Sequence, residues 1–286
     1  MQRIGVIGGS GLYEMDGVEV VGEITVDTPY GSPSDAIVHV RMDGADVYFL
    51  PRHGRGHRYL PSEVPYRANI WALKSLGVTW VVSVSAVGSL VEEIEPGGNI
   101  VLVDQFIDRT SGRDKTFFGD GVVAHISFGE PVCGVLHGYL ETACKQLDAK
   151  LHTAGTYVCI DGPAFSTRAE SNWFRSMGAT VVGMTNLPEA RLAREAEMSY
   201  VTVALPTDYD CWHDGHDDVS VEQIIATLMA NVGLGKSLIR AVVPLIAAHE
   251  GPAPFTGSLA SALFTPRENI SAERWEDLAP LFGESA

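Results

Sequence analysis

Cysteine is scarce in this chain: four residues in 286, Cys133, Cys144, Cys159 and Cys211. No two of them form a CxxC pair, which argues against a zinc knuckle or a disulfide framework and points to a reduced setting. Basic residues are also few. Twenty lysines and arginines stand against 36 aspartates and glutamates, a formal net charge of −16, whereas a nucleic-acid partner calls for the opposite balance. No apolar stretch approaches about 18 to 20 residues, so no membrane span is expected. Low-complexity tracts, internal repeats and linkers are missing, and the first residues lack the layout of a secretory signal. The plain expectation is a cytoplasmic globular protein.

The composition is ordinary for such a protein, with 45% hydrophobic and 20% charged residues. Apolar runs with strand character fall at 4–7, 46–51, 79–86, 99–104, 155–160, 180–184 and 198–206. Helical periodicity falls between several of them, at 66–76, 132–147, 168–177 and 188–196, with a longer stretch at 220–247. Strands alternating with helices predict an α/β fold, a single domain whose central sheet is mixed but mostly parallel and flanked by helices. Residues 1–249 are expected to form that domain. Residues 250–286, with Pro252 and Pro254, read as a C-terminal appendage packing on it or on a neighbouring subunit.

The ends of the apolar runs carry the chemistry. Asp208 and Asp210 follow the 198–206 run, two residues apart, and an extended chain would point both carboxylates to one side. Adenine offers a matching edge, with N7 beside the exocyclic amine. One carboxylate would accept from the amine and the other, if protonated, would donate to N7. Two solvated acids at a strand end are the bland alternative for this pair taken alone.

The N-terminal run ends in Gly8-Gly9-Ser10-Gly11-Leu12. A dinucleotide fingerprint starting at Gly9 fails at Glu14, a nucleophile elbow at Ser10 fails at Leu12, and no Gly-Lys-Ser/Thr follows. What remains is a tight packing turn or an anion cradle of backbone amides and one hydroxyl, evenly matched on pattern alone. Arg52-His53-Gly54-Arg55-Gly56-His57 closes the second run with donors suited to phosphate, or is a solvated basic loop. Ser85-Ala86-Val87-Gly88 ends the third with small residues that admit a ligand. Thr167 with Glu170 predicts a helix start, and Phe165 before it is a stacking platform or a core residue. His213 and His216 lie in a glycine-containing loop that fixes no ligand pair, so no metal is expected. Cys211 has no adjacent base and reads as buried.

In order along the chain, the blocks 7–12, 28–34, 52–54, 66–73, 85–90, 104–110, 162–170, 184–189 and 207–212 resemble the methylthioadenosine phosphorylases of the trimeric purine nucleoside phosphorylase family. The resemblance runs from the first strand to about residue 245. It implies the nucleoside phosphorylase fold and a pentosyltransferase that cleaves S-methyl-5'-thioadenosine with inorganic phosphate, in purine and methionine salvage. Ser10, Arg52, His53, Ser85, the Ala86 amide and Thr185 would bind phosphate. Phe165 would line the base and Met184 the ribose, while Asp208 would face N7 and Asp210 the exocyclic amine. Val221, Ile224 and Ile225 would form the slot for the 5' group, with His125 reaching in from a neighbouring subunit of a homotrimer, or of a hexamer. The resemblance implies no cofactor, phosphate being the second substrate. Serine at 10 and 85 where threonine is commoner, Pro206 and Asn186 depart from the pattern.

In the implied reaction phosphate attacks the anomeric carbon while Asp208, its pKa raised by burial and by the charge of Asp210, protonates the departing adenine. A carboxylate at 210 would repel the oxygen of a 6-oxopurine, so a 6-aminopurine substrate is expected. The alternative is a broader purine nucleoside phosphorylase that also uses adenosine or 6-oxopurine nucleosides. A nucleoside sensor without turnover and a nicotinamide-dependent oxidoreductase are the competing classes; the second fails with the fingerprint.

Overall fold

The computed structural model describes residues 1–9, 11–12, 18–147, 149–213 and 221–285, without the side chains of 221–226, 228 and 284–285. Along the chain run β1 (Arg3–Gly8), β2 (Glu19–Ile24), β3 (Ile37–Met42), β4 (Ala45–Pro51), α1 (Tyr66–Ser75), β5 (Trp80–Ser89), β6 (Asn99–Leu102), β7 (Gln105–Asp108) and α2 (Gly134–Cys144). There follow β8 (Lys150–His152), β9 (Thr156–Cys159), α3 (Arg168–Ser176), β10 (Val181–Gly183), α4 (Asn186–Glu195), β11 (Ser199–Asp208), α5 (Val221–Ala247) and α6 (Ala272–Leu278). Among the described residues, eleven strands form one sheet.

The central strands are apolar on both faces because helices cover both. β1 buries Ile4, Val6 and Ile7, and β11 is buried along nearly its whole length. β1 runs parallel to β4 and β5, and β5 parallel to β11, while the hairpin β2–β3–β4 is antiparallel. The sheet is therefore mixed, as expected. β5 is the strand that creates the site. Its first half pairs with β1, it pairs with β11 throughout, and its last residues pair antiparallel with β10. The carboxyl end of β10 consequently runs back toward Val87 and Ala86, and several strand ends converge there.

Within α5, Met229–Ala247 is long and apolar enough by composition to cross a bilayer, which corrects the expectation that no stretch reaches that length. Leu238, Ile239, Val242, Val243 and Ile246 bury one side of this helix in the same core as β1 and β11, the setting of a core helix.

The tail, described over 250–285, folds back onto the chain. Leu259, Ile270, Leu278, Leu281 and Phe282 are buried in the same cluster as α1. The backbone N–H of Leu259 donates to the buried Glu197 carboxylate at 2.7 Å, and Trp71 Nε1 donates to the Asp277 carbonyl at 2.8 Å.

Candidate active site

A cavity of about 450 Å³ opens where the strand ends meet, within the range of pockets that take a nucleoside-sized ligand. Gly8, Gly9, Gly11 and Leu12 line it after β1, and Arg52, His53, Gly54 and His57 after β4. Ala86, Val87 and Gly88 line it from β5, Phe165 and Ser166 after β9, Gly183, Met184 and Thr185 at the end of β10, and Thr207, Asp208 and Asp210 at the end of β11.

Every site residue expected from sequence whose side chain is described lines this cavity, except Ser85 and His125. Ser10 lies outside the described residues, as do the side chains of Val221, Ile224 and Ile225 on the first turns of α5. Ser85 is buried, its hydroxyl 3.3 Å from the Ala86 carbonyl and 3.4 Å from Tyr157 Oη. His125 bonds through its backbone N–H to the Ala262 carbonyl, and its ring lies edge-on to Phe264.

The two acids come together by a route other than strand alternation. β11 ends at Asp208, and Asp210 opens a short 3-10 turn with φ +48°. Aspartate tolerates that left-handed conformation better than most residues. The Asp210 backbone N–H donates to Asp208 Oδ1 at 2.8 Å, and the Thr207 hydroxyl donates to Asp208 Oδ2 at 2.7 Å. The ladder with β5 shifts register between Pro206 and Asp208, a bulge that re-aims the chain. Pro206 itself gives its carbonyl to Asn231 Nδ2 at 3.2 Å, tying the bulge to α5.

Burial lifts the Asp208 carboxyl above its usual range, against the two hydrogen bonds that favour the anion. Burial also lifts Asp210, and the neighbouring Asp208 charge adds to it. The expected mutual repulsion thus registers on Asp210, with burial as the main cause at Asp208. Asp210 Oδ2 is buried with no hydrogen-bond partner among the described residues, an acceptor matched to a ligand N–H. Gly88 makes room for the pair: a Cβ there would sit 3.0 Å from Asp208 Oδ1 and 3.3 Å from Asp210 Cβ.

The basic wall is built differently from a solvated loop. Arg52 is 3% exposed. Its Nε and Nη2 donate to the two Glu189 oxygens at 2.7 and 3.0 Å, Nη2 also to Ser83 Oγ at 2.7 Å, and Nη1 to the Val84 carbonyl at 3.0 Å. Of the five guanidinium N–H groups, one on Nη1 has no partner among the described residues. Burial alone would depress this cation, yet the charge and hydrogen bonds of Glu189 outweigh it and hold the guanidinium protonated. Asn186 belongs to the same network, donating to Ser83 Oγ at 3.0 Å and Tyr200 Oη at 2.8 Å. This departure from the family pattern thus has a structural job.

His53 Nδ1 lies 2.9 Å from the Tyr59 carbonyl, and its ring stacks on His57 with centroids 4.2 Å apart. Burial first, with the Arg52 charge adding, pushes the His53 imidazole down to about 4. The ring is neutral near pH 7 with its proton on Nδ1, which leaves Nε2 as an acceptor.

Thr167 and Glu170 form the expected capping box at the start of α3, the Thr167 hydroxyl accepting from the Glu170 N–H at 3.2 Å. It fixes the chain just after Phe165, which is 51% exposed and lines the cavity, so it is not a core residue. Cys211 is only partly buried, contrary to expectation, because its thiol donates to the Ser166 carbonyl at 3.1 Å and so sits at the rim of the same loop. His213 lies 3.2 Å from Glu92, and His216 is outside the described residues. Sequence reasoning missed His57, Asn231 and Val232 as lining residues. His57 was within reach, in the same basic block as Arg52. Asn231 and Val232 were hidden in the apolar periodicity of a helix.

Residues 3–244 match the profile of the phosphorylase superfamily. The chain is 57% identical to the S-methyl-5'-thioadenosine phosphorylase of Geobacter sulfurreducens, covering 99% of this chain and 98% of that one. It is 53% identical to the S-methyl-5'-thioadenosine phosphorylase of Thermosynechococcus vestitus, with 96% of each covered. Among solved structures, a methylthioadenosine phosphorylase from an antarctic soil metagenomic library superposes with a TM-score of 0.91 at 50% identity, covering 98% of both chains. The methylthioadenosine phosphorylase of Schistosoma mansoni in complex with adenine gives 0.87 at 35% identity, covering 92% of this chain and 99% of that one. The chain belongs to the phosphorylase superfamily, and within it to the S-methyl-5'-thioadenosine phosphorylases.

Proposed function

We propose that this protein catalyses phosphorolysis of S-methyl-5'-thioadenosine to adenine and 5-methylthioribose 1-phosphate. The observation that carries the reading is one cavity that unites the half-buried Asp208 and the buried Asp210, both of raised pKa, with Gly8, Gly9, Arg52, His53 and Thr185. The acids suit a 6-aminopurine, and the wall suits an oxyanion.

Departure of adenine leaves negative charge on the purine. Asp208, protonated at a higher pH than an exposed aspartate, gives its proton to N7 as the glycosidic bond breaks. General acids of this kind contribute about 10²- to 10⁴-fold. Asp210 Oδ2 accepts from the exocyclic amine. A 6-oxopurine would set an oxygen against that carboxylate, leaving a charged acceptor unpaired at a cost of roughly 1–3 kcal/mol or more. Phosphate meets the backbone amides near Gly8 and Gly9, the remaining Arg52 N–H and Thr185. The neutral His53 accepts a hydrogen bond from hydrogenphosphate through Nε2. Ser10 and Ser85 add hydroxyls, Met184 packs under the ribose, and Val221, Ile224 and Ile225 enclose the methylthio group. Positioning two reactants this way converts a bimolecular encounter into an oriented one.

His125 does not line the cavity among the described residues, and the family resemblance supports assigning it to the site of a neighbouring subunit in a homotrimer. The 250–286 tail is read as a C-terminal brace on the 1–249 catalytic domain, and the enzyme as cytoplasmic. Base release from methylthioadenosine, adenosine and inosine, each with and without phosphate, tests the function. Phosphate-dependent release of adenine, with inosine the poorest substrate, is the expected result; release independent of phosphate would mark a hydrolase, and no release a binding protein.

A further inference from the structure

The antiparallel ladder between β5 and β10 pairs Val181 with Ser89 and Val182 with Gly88, then stops. Carried on, that register would set Thr185 opposite Ser85. The two chains instead part, and the cavity opens between them, lined by Ala86 and Val87 on one side and Gly183, Met184 and Thr185 on the other. The space left by the missing rungs is occupied by one side chain from β9. Tyr157 is fully buried, its Oη 3.4 Å from the Thr185 backbone N and 3.4 Å from Ser85 Oγ.

These contacts have a direction. The Thr185 N–H donates to Tyr157 Oη, and the phenol faces Ser85 Oγ at 3.4 Å; with the phenol proton given to Ser85 Oγ, the Ser85 proton can turn from the Ala86 carbonyl, 3.3 Å away, to a bound anion. A buried hydroxyl is costly without partners, and phenylalanine would fill the same apolar volume. Both partners of this one are groups read above as holding phosphate. The neighbouring strand is shaped around it: a Cβ on Gly183 would lie 2.0 Å from Tyr157 Oη, although the Gly183 backbone is ordinary.

We propose that Tyr157 is a positioning residue for phosphate: its hydroxyl acts as a substitute rung, fixing the width between the Ser85 and Thr185 strand ends and orienting the Ser85 hydroxyl as a donor. The inference rests on the phosphorolysis reading and adds a residue that does not line the cavity.

The test is Tyr157→Phe in the full chain, with inorganic phosphate varied at saturating methylthioadenosine and the reverse. Loss of one such bond network predicts a phosphate KM about five- to tenfold higher. The nucleoside KM should stay at its wild-type value, and the melting temperature should fall by no more than the few degrees that one orphaned buried N–H costs. In a Ser85→Ala background the same substitution should add little further loss, since the hydroxyl it orients is gone. An unchanged phosphate KM, equal rises in both KM values, or full additivity with Ser85→Ala would each overturn the positioning role. Base release by the unaltered protein that ignores phosphate would overturn the phosphorolysis reading and this inference with it. A phosphate-saturable wild type with an unmoved Tyr157→Phe variant would overturn the inference alone.

Discussion

The backbone N–H of Asp210 donates to the side chain of Asp208 at 2.8 Å, so the two acids of the site are joined by a bond within the pair. Asp208→Asn keeps an acceptor for that N–H and removes the transferable proton. We expect kcat to fall about 10²- to 10⁴-fold with little change in nucleoside KM. The pH profile gives a second reading. Burial raises the Asp208 carboxyl, and the protonated form is the active acid, so kcat should decline as pH rises through that raised value. The variant should lack this limb.

Asp210→Asn addresses base choice. The asparagine amide can donate to a 6-oxo group, so the ratio of kcat/KM for adenosine over inosine should fall by about tenfold or more. Steady-state phosphorolysis of both nucleosides reads it directly, and an unchanged ratio would remove Asp210 from base recognition.

Glu189→Gln tests the pillar behind the basic wall. Breaking one partner of a buried ion pair commonly costs about 3–5 kcal/mol, and Glu189 also accepts from Ser83 and Tyr200. Urea unfolding should show a loss at the lower end of that range, since glutamine still accepts one bond, together with a higher phosphate KM as Arg52 loosens.

Glu195 supplies a stability prediction independent of catalysis. Its carboxylate accepts from the Thr116 hydroxyl and the Phe117 N–H, yet burial outweighs both and pushes it up from 4.5 to about 7. A carboxyl raised in the folded state contributes stability that is complete below the unfolded value and is lost as pH rises through the folded one. The window is therefore pH 4.5 to 7, and the loss is about 3 kcal/mol at about 1.4 kcal/mol per unit. Urea midpoints measured across that window should fall, and should fall less in Glu195→Gln.

The sequence made the central strands and main helices legible because their signals are local. β1, β4, β5, β9, β10 and β11 are apolar runs, and α3 announces itself with its capping box. The β2–β3 hairpin was missed because β2 is largely solvent-facing and leaves no periodic mark, while the short buried run of β3 is interrupted by His39 and Arg41. The 99–104 run ends earlier, with β6 stopping at Leu102 and β7 starting at Gln105. The tail read as an appendage because its buried residues are spaced by turns; its helix α6 is only one short element. In the site, residue types at strand ends were enough to name the acids and the basic block. The Arg52–Glu189 pair, the substitution of Tyr157 for a ladder rung and the use of Asn231 depend on contacts between distant segments, which no local pattern carries.

Phosphorus NMR of the protein with methylthioadenosine and inorganic phosphate measures the central claim most directly, because it follows the anion itself. We expect a sugar 1-phosphate resonance that grows in step with free adenine while inorganic phosphate declines by the same amount. Adenine released with the phosphate signal unchanged would contradict phosphorolysis.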